Sequence, residues 1–170
     1  MFQAQRRGCG LVPWDENHTN EREGTLSFDQ AHQIREILHT HNMWECKPVS
    51  TPVLKDIMKI PITSSAELAI YPYRQIVGEL LWIACCTRPD ISYAVTYLSR
   101  FCHDYRSEHV LAAKRILRYL RGTVNRGLTY RRGGNTVFDV FVDADCASDE
   151  SARRSVSGYV TRMGGAALTW

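Results

Sequence analysis

Residues 73–122 read YRQIVGELLWIACCTRPDISYAVTYLSRFCHDYRSEHVLAAKRILRYLRG, and the apolar pattern of this stretch decides the fold class. The first part, Tyr73–Cys86, is mostly apolar and predicts a largely buried helix. Arg88-Pro89-Asp90 interrupts the pattern, because proline is unfavourable inside a helix and well suited to the first turn of the next one. Asp90 lies in that first turn, where its charge favours the helix dipole. We therefore expect a corner between two helices here, and no chemistry is assigned to it.

Two further helices are predicted in the same stretch. The second shows apolar residues at helical spacing and is expected to end near Cys102. The third runs from about Ser107 to Leu120 and stops at Gly122, since glycine commonly ends helices. Because the connections are short, the three helices are expected to pack as a small bundle.

After Gly122 the apolar period changes from helical to strand-like. Short strands are predicted at 127–130, 137–142, 158–162 and 166–170, with a turn at Gly164-Gly165. Alternation over 137–142 predicts a strand with at least one buried face. The last strand is expected to leave an open hydrogen-bonding edge. The predicted fold class is α+β, a small helical bundle followed by the first strands of a sheet, with the boundary between Gly122 and Gly134.

The N-terminal part of the chain is less regular. Residues 1–24 are polar, contain glycines and a charge cluster, and are predicted to be an irregular lead-in. A helix is predicted to start at Ser27, with Gln30 completing a capping box, and to run to about Asn42. An extended connector is expected over residues 47–52, where two prolines occur.

Composition sets limits on the class of protein. The chain has 170 residues, 44% hydrophobic and 23% charged, which is typical of a globular protein and excludes a disordered tail. A formal charge of +3 is a mild basic bias, compatible with a nucleic-acid partner without identifying one. The N-terminus lacks the apolar core of a signal peptide, and no apolar run approaches the ~20 residues that cross a bilayer. An intracellular location with no membrane partner is expected.

Cysteine and histidine spacing does not indicate a metal site. The six cysteines form no C-x-x-C pair and are expected to be buried free thiols, with a disulfide or metal site as the alternative: Cys9, Cys46, Cys85, Cys86, Cys102 and Cys146. His39 and His41, two residues apart, point to different faces of a helix. We expect both histidines to be solvated.

Short segments along the chain are individually weak signals, but their order is informative. They are Leu26–Gln30, Pro48–Pro52, Tyr73–Gly78, Leu80–Trp82, Thr87–Ile91, Ala94-Val95, Leu98–Phe101, His109, Ala112–Thr123, Asp143–Asp145, Arg154–Tyr159 and Gly164-Gly165. In this order they make the chain from about residue 26 to 170 resemble the Pol polyproteins of copia-type LTR retrotransposons. The resemblance implies that residues 25–122 correspond to the thumb and connection region of the reverse transcriptase, and residues 123–170 to the N-terminal part of RNase H.

The resemblance also implies a site that degrades RNA in RNA–DNA hybrids. RNase H holds two Mg²⁺ ions roughly 4 Å apart with several carboxylates. Asp143 stands where the first metal-binding carboxylate of the family belongs, and we interpret it as a vestigial catalytic and metal ligand; the alternative is that Asp143 and Asp145 are a strand-end pair facing water. Asp149 and Glu150 are poor substitutes for the later carboxylates of the family, which are expected beyond Trp170. Mg²⁺ is thus a cofactor of the family that this fragment alone is not expected to bind.

Three departures from the family pattern bear on activity. Relatives usually carry Trp and Gly where this chain has Cys146 and Ser148, both close to Asp143, and Ser where it has Glu79. No Tyr-x-Asp-Asp motif of a polymerase palm occurs in the sequence. Nucleotide addition by this chain alone is therefore not expected.

Basic residues form a stripe on the third predicted helix. Lys114, Arg118 and Arg121 recur at helical spacing, flanked by Arg115. Such a stripe suits phosphates, whose contacts position a nucleic acid without reading its sequence. The alternative is an ordinary solvated helix face. With the resemblance, the stripe implies contact with a template–primer duplex or an RNA–DNA hybrid.

Three functional interpretations follow. We expect a fragment of a retrotransposon Pol polyprotein that is inactive alone, retains contact with nucleic acid and has the rest of the polyprotein as its partner. One alternative is a Mg²⁺-dependent RNase H completed by another chain or by readthrough. The other is a non-enzymatic, host-repurposed interaction module. The location implied for the family is the cytoplasm, within virus-like particles, or the nucleus.

Overall fold

The computed structural model describes residues 16–20, 22–53, 71–133, 137–145 and 156–170. The elements in chain order are β1 Glu16–Asn20, β2 Thr25–Asp29, α1 Ala31–Thr40, α2 Tyr73–Cys86, α3 Pro89–Ser99, α4 Ser107–Gly122, β3 Leu128–Arg131, β4 Asp139–Asp145, β5 Val156–Met163 and β6 Ala166–Thr169. Strands β1, β2 and β3 form one antiparallel sheet, and β4, β5 and β6 form another. The chain thus combines helices with antiparallel sheets, as predicted.

The four helices enclose the main apolar core. Helix α2 packs along α3, and α4 contacts the other three helices. Every helix contributes fully buried aliphatic side chains, among them Ile34, Leu80, Ile91, Leu98 and Leu117. Each such side chain contributes about 1.5–3 kcal/mol when buried, so this cluster is the main source of stability. The predicted bundle is confirmed, with α1 as an additional member.

Helix boundaries in the bundle follow the sequence pattern closely. Helices α2 and α4 begin as predicted, and α3 begins at Pro89. Helix α3 ends at Ser99, earlier than the predicted end near Cys102. The next backbone N–H groups, including that of Cys102, bond three residues back, which is the tighter turn common at helix ends.

The predicted helix start at Ser27 is wrong. Ser27 lies in β2, where its hydroxyl is 2.9 Å from the hydroxyl of Thr129 on β3. Helix α1 begins at Ala31, whose backbone N–H donates to Oδ1 of Asp29 at 3.0 Å. Pairing with a strand distant in sequence has overridden the local capping signal.

Strand β3 belongs to the first sheet, although its sequence suggested that it groups with the later strands. Residues 128–131 pair with β2, and β1 lies on the other side of β2. The predicted irregular lead-in is therefore wrong for residues 16–20; residues 1–15 and 21 lie outside the described part of the chain. The division into segments 1–24, 25–122 and 123–170 stays a prediction.

Hydrogen bonds connect the second sheet to the first sheet and to the bundle. The backbone N–H of Arg131 donates to the carbonyl of Gly164 at 2.9 Å. The Tyr130 hydroxyl donates to the carbonyl of Ala167 at 2.6 Å. The indole N–H of Trp170 donates to a carbonyl in the last turn of α2 at 2.8 Å. The turn before β6 is thereby placed against β3.

The strand predicted over 137–142 is observed as β4, but its expected buried face is wrong. Phe141 and Val142 are 53% and 73% exposed. A small antiparallel sheet buries a face only where a second layer packs on it. The predicted turn at Gly164-Gly165 is confirmed, with φ of +62° and +92°, which glycine adopts at low cost.

The expectation that the cysteines are buried is wrong for those in the described part of the chain. Cys46, Cys85, Cys86 and Cys102 form no disulfide, as expected, but Cys85 is exposed and the others are partly exposed. The remaining two cysteines lie outside the described residues.

No helix in the described part of the chain is long and apolar enough to cross a bilayer.

The two histidines at the end of α1, His39 in its last turn and His41 just after it, differ from each other. His39 is exposed, as expected, and its ring stacks on Trp44 with 4.9 Å between centroids. His41 was expected to be solvated, but its side chain is only 6% exposed, and Nε2 lies 2.6 Å from Oε2 of Glu79. The turn after α1 brings His41 against α2, which its sequence position does not reveal.

A pair of glycine substitutions tests the packing of β2 against the chain that enters β3. A Cβ at Gly127 would lie 2.1 Å from the carbonyl oxygen of Phe28, whereas one at Gly78 on α2 meets nothing within 4 Å. We expect Gly127→Ala to lower the free energy of unfolding by about 2–4 kcal/mol. Gly78→Ala should raise it by about 0.5–1 kcal/mol, because alanine is the better helix former. Urea unfolding followed by circular dichroism measures both, and a neutral Gly127→Ala would contradict the close approach.

Candidate nucleic-acid interface and carboxylate site

The predicted basic stripe of α4 contacts the segment of residues 44–53, which includes the predicted extended connector and is called the connector below. Arg118 donates its Nε–H to the carbonyl of Lys47 at 2.7 Å, and Arg121 donates its Nε–H to the carbonyl of Trp44 at 2.7 Å. The guanidinium of Arg121 also lies 4.1 Å from the centroid of the Trp44 ring. Two of the four stripe residues therefore hold the start of the connector.

The other two stripe residues have partners as well. Arg115 donates Nη2–H to the hydroxyl of Thr51 at 2.9 Å. The ammonium of Lys114 lies 5.2 Å from the centroid of the Tyr71 ring. All four stripe residues remain partly exposed. The structure thus brings them together on one side of α4, and the connector covers part of that side.

A glycine admits the connector at the end of α4. A Cβ at Gly122 would lie 3.1 Å from the Cβ of Pro48. Any larger residue there would push the connector outward. The glycine that the sequence marked as a helix stop therefore also serves packing between α4 and the segment after α1.

A buried arginine organises the corner between α2 and α3. Arg88 is fully buried and donates Nε–H and Nη2–H to the two carboxylate oxygens of Asp90 at 2.9 and 2.8 Å. Its Nη1 and Nη2 also donate to the carbonyl and hydroxyl of Thr123 at 3.0 and 2.8 Å. Burying a guanidinium costs several kcal/mol unless an ion pair and hydrogen bonds compensate. These contacts supply that compensation.

Neighbouring side chains extend this network in two directions. The Tyr119 hydroxyl donates to Oδ2 of Asp90 at 2.6 Å and accepts from Nη1 of Arg126 at 2.8 Å. On the other side, the Thr87 hydroxyl donates to Oε1 of the buried Gln30 at 2.7 Å. The network therefore joins the start of α1, the α2–α3 corner and the end of α4.

The charges in this network are fixed near neutral pH. Burial acts to raise the pKa of Asp90, but hydrogen bonds from Arg88 and Tyr119 outweigh burial and hold that pKa below its usual value. Burial, and then the neighbouring carboxylate, raise the pKa of the Tyr119 hydroxyl. Asp90 is thus ionised and Tyr119 protonated at pH 7, which suits a structural role.

Sequence reasoning identified the corner but missed its partners. The sequence does show Arg88 two residues before Asp90 with Pro89 between them, and this short spacing is the pattern from which their ion pair could have been predicted. Thr123 lies 35 residues after Arg88, and Gln30 lies 57 residues before Thr87. Separations of this length are visible only in the folded chain.

The predicted carboxylate position lies on β4. Asp143 is exposed and pairs across the sheet with Gly158 on β5. The side chain of Asp145, and all of Asp149 and Glu150, lie outside the described residues. In the described part of the chain, no group of three or more His, Cys, Asp or Glu residues could hold a metal ion. Because Mg²⁺ takes several oxygen ligands, the described residues do not fit a two-metal site.

Comparison with known proteins gives a consistent set of relatives. The chain is 40% identical over 146 residues to the retrovirus-related Pol polyprotein from transposon RE1 of Arabidopsis thaliana, covering 85% of this chain and 10% of that protein. It is 37% identical over 151 residues to the corresponding polyprotein from transposon TNT 1-94 of Nicotiana tabacum, covering 85% and 11%. It is 40% identical over 124 residues to the putative transposon Ty5-1 protein of Saccharomyces cerevisiae, covering 73% and 40%.

These relatives establish the family. The chain belongs to the Pol polyproteins of copia-type retrotransposons, as the ordered motifs predicted. It spans about a tenth of the length of the RE1 and TNT 1-94 polyproteins that it matches. No family model matches the chain, and no solved structure matches it.

The ion pair at the corner predicts an acid-dependent part of stability. Because the pKa of Asp90 in the folded chain lies below its ordinary value of 3.8, the carboxylate stabilises the fold above that pH. This contribution is lost as the pH falls through the folded-state value. We expect Asp90→Asn to lower the free energy of unfolding by about 1–3 kcal/mol at pH 7. Below about pH 4 the difference in stability between wild type and variant should become smaller.

Urea unfolding at several pH values measures this effect. Asp104→Asn is the matched control, because Asp104 is 87% exposed and its ion pair with Arg106 spans 3.9 Å. We expect that variant to change stability by less than about 0.5 kcal/mol. Equal effects of the two substitutions would contradict a stabilising role of the corner.

A double-mutant cycle tests whether the stripe holds the connector. Arg121→Ala and Trp44→Ala should show a coupling energy of about 1 kcal/mol, since a guanidinium over an indole is worth about that much. Thermal or urea unfolding of both single variants and the double variant gives the coupling. The cycle of Arg121→Ala with Trp82→Ala on α2 is the control and should be additive. Additivity in both cycles would show that Arg121 does not stabilise the connector through the Trp44 ring.

Proposed function

We propose that this chain is an architectural, non-catalytic segment of a copia-type Pol polyprotein. In this proposal residues 25–122 act as a helical bundle like the thumb and connection of the reverse transcriptase. Within residues 123–170, strands β4, β5 and β6 act as the opening strands of an RNase H-like sheet, whereas β3 pairs with β2. The segment links the two regions and contacts an RNA–DNA hybrid or template–primer duplex.

The observation that carries the proposal is how the described carboxylates are used. Asp90 is engaged by Arg88 and Tyr119, so it is a packing group and not a metal ligand. Asp143, which the resemblance implies is the family's first carboxylate, is exposed on β4 and has no cluster of ligands around it among the described residues. Two Mg²⁺ ions need several carboxylates to bind. The proposal therefore assigns no hydrolytic step to these residues.

Contact with nucleic acid is proposed for the stripe side of the bundle. A guanidinium has five N–H donors, and the connector engages one N–H of Arg118 and one of Arg121 through neutral carbonyls. Their positive charge is retained, so this side keeps a field that attracts phosphates. Binding of this kind is insensitive to sequence and weakens steeply with salt.

Incubation of the purified chain with an end-labelled RNA–DNA hybrid and Mg²⁺ tests the proposal. We expect no cleavage of the RNA strand above the protein-free control, because Asp143 has no group of further ligands around it among the described residues and cannot hold two divalent cations by itself. Anisotropy on the same hybrid should show binding at low salt that weakens at high salt.

Variants of two exposed aspartates make the cleavage test specific. Asp143→Asn removes the proposed vestigial ligand, and Asp104→Asn removes an exposed carboxylate outside the second sheet. Cleavage by the wild type that is lost in Asp143→Asn and kept in Asp104→Asn would overturn the proposal in favour of an RNase H completed from elsewhere. Absence of hybrid binding even at low salt would remove the nucleic-acid role.

A further inference from the structure

A groove lies where the chain turns after the end of α4. Its volume is about 600 Å³, and its walls come from the connector, α1 and residues 121–126: Arg35, Trp44, Arg121, Gly122, Thr123, Val124, Asn125 and Arg126. Three of these lining residues are arginines, and none of the described lining residues is acidic. The sequence-based stripe included only Arg121, because the other two arginines come from different elements.

The arginines are held in place by neutral groups. Arg35 donates Nη2–H to Oδ1 of Asn125 at 3.1 Å. Arg121 donates Nε–H to the carbonyl of Trp44 at 2.7 Å, and Arg126 donates Nη1–H to the hydroxyl of Tyr119 at 2.8 Å. Each guanidinium carries five N–H donors in a rigid fork. These contacts orient the three cations without neutralising them.

One carboxylate contacts the groove arginines among the ion pairs of the described residues. Nη1 of Arg126 lies 3.7 Å from Oδ2 of Asp90, but that carboxylate already forms a bidentate pair with the buried Arg88. The carboxyl end of α4 contributes about half a negative charge. The three lining arginines outnumber these opposing charges, so the lining of the groove carries a net positive charge, which suits an anion with several oxygen acceptors.

The wall formed by Trp44 is preorganised. Its ring is 4.1 Å from the guanidinium of Arg121 and stacks with His39 at 4.9 Å between centroids. Because the ring is held by two neighbours, little side-chain entropy remains to be lost when a ligand binds. The Trp44 wall of the groove is therefore held in position before a ligand binds.

We propose that this groove binds phosphate groups, with Arg35, Arg121 and Arg126 as the contacting residues. The inference rests on the proposed function, because a nucleic-acid backbone is the phosphate source that a Pol segment meets. It adds a binding position that includes α1 and the turn after α4. Arginine forks recognise phosphate oxygens in pairs, which favours this anion over chloride or a single carboxylate.

The first arm of the test measures hybrid binding by the full chain across a salt series. Arg35→Gln/Arg126→Gln is compared with Arg22→Gln/Arg132→Gln, which removes the same charge from exposed arginines that do not line the groove. We expect the groove variant to bind about tenfold more weakly and to lower the slope of log K against log salt by about 2. The control variant should retain the wild-type slope. Circular dichroism verifies that both variants are folded.

The second arm uses inorganic pyrophosphate as the probe. Pyrophosphate should shift the indole N–H resonance of Trp44, assigned by its loss in Trp44→Phe, in the wild type and not in Arg35→Gln/Arg126→Gln. A response in the hybrid arm supports the groove with a nucleic-acid backbone as the phosphate source. A response to pyrophosphate alone supports the groove with a free oligophosphate as the source.

The two proposals fail in different ways. If the groove variant binds the hybrid as tightly as the wild type does, and pyrophosphate does not shift the Trp44 resonance, phosphate binding in the groove is contradicted. The proposed function would then remain intact. Equal loss of hybrid binding in both double variants, with no shift of the Trp44 resonance on adding pyrophosphate, would also contradict phosphate binding in the groove. That result would indicate that hybrid binding depends on the total positive charge and not on the groove arginines. No hybrid binding at low salt, with a shift of the Trp44 resonance by pyrophosphate, would support the groove and remove the proposed nucleic-acid contact.

Discussion

A guanidinium buried in an apolar bundle is the constraint on which the rest of the structure depends. Arg88 has no exposed surface, and its burial is tolerable only with its hydrogen bonds made. Asp90 supplies the charge at the start of α3, and Thr123 supplies a carbonyl and a hydroxyl just after α4. The position of Thr123 in turn directs the chain through Gly127 into β3, which pairs with β2. One buried charge thus couples the helix corner to the edge of the first sheet.

Arginines on the surface of the bundle also donate hydrogen bonds to backbone carbonyls, but their side chains remain partly exposed. Arg118 and Arg121 donate to backbone carbonyls of the connector, so they hold the chain without losing charge. Arginine suits this combination, because one N–H can serve packing while the delocalised charge and other donors remain. The bundle therefore carries its positive field on the side where the connector and the turn after α4 meet. This is also where Arg35 and Arg126 complete the groove.

The sequence predicts those parts of the structure that local patterns determine. Helices α2 to α4 follow from apolar periodicity punctuated by Pro89 and Gly122, and the family follows from the order of the motifs. The start of α1 could not be predicted, because the capping pattern at Ser27 competes with pairing to residues 128–131, which lie about a hundred positions away. Likewise the spacing of the basic residues predicts that they share one side of α4, but it does not predict which segment of the chain covers that side. The partners of Arg88 and the arginines of the groove are set by tertiary contacts alone.

Native-state hydrogen exchange of Arg88→Met measures the dependence on the buried arginine most directly. Amides that are protected from exchange only while the Arg88 network is intact should lose that protection together. Their free energy of opening should therefore fall by the same amount, about 2–4 kcal/mol, in α1, at the end of α4 and in β3. The account predicts this common decrease across segments far apart in sequence. A decrease confined to residues 86–92, with the end of α4 and β3 unchanged, would contradict it.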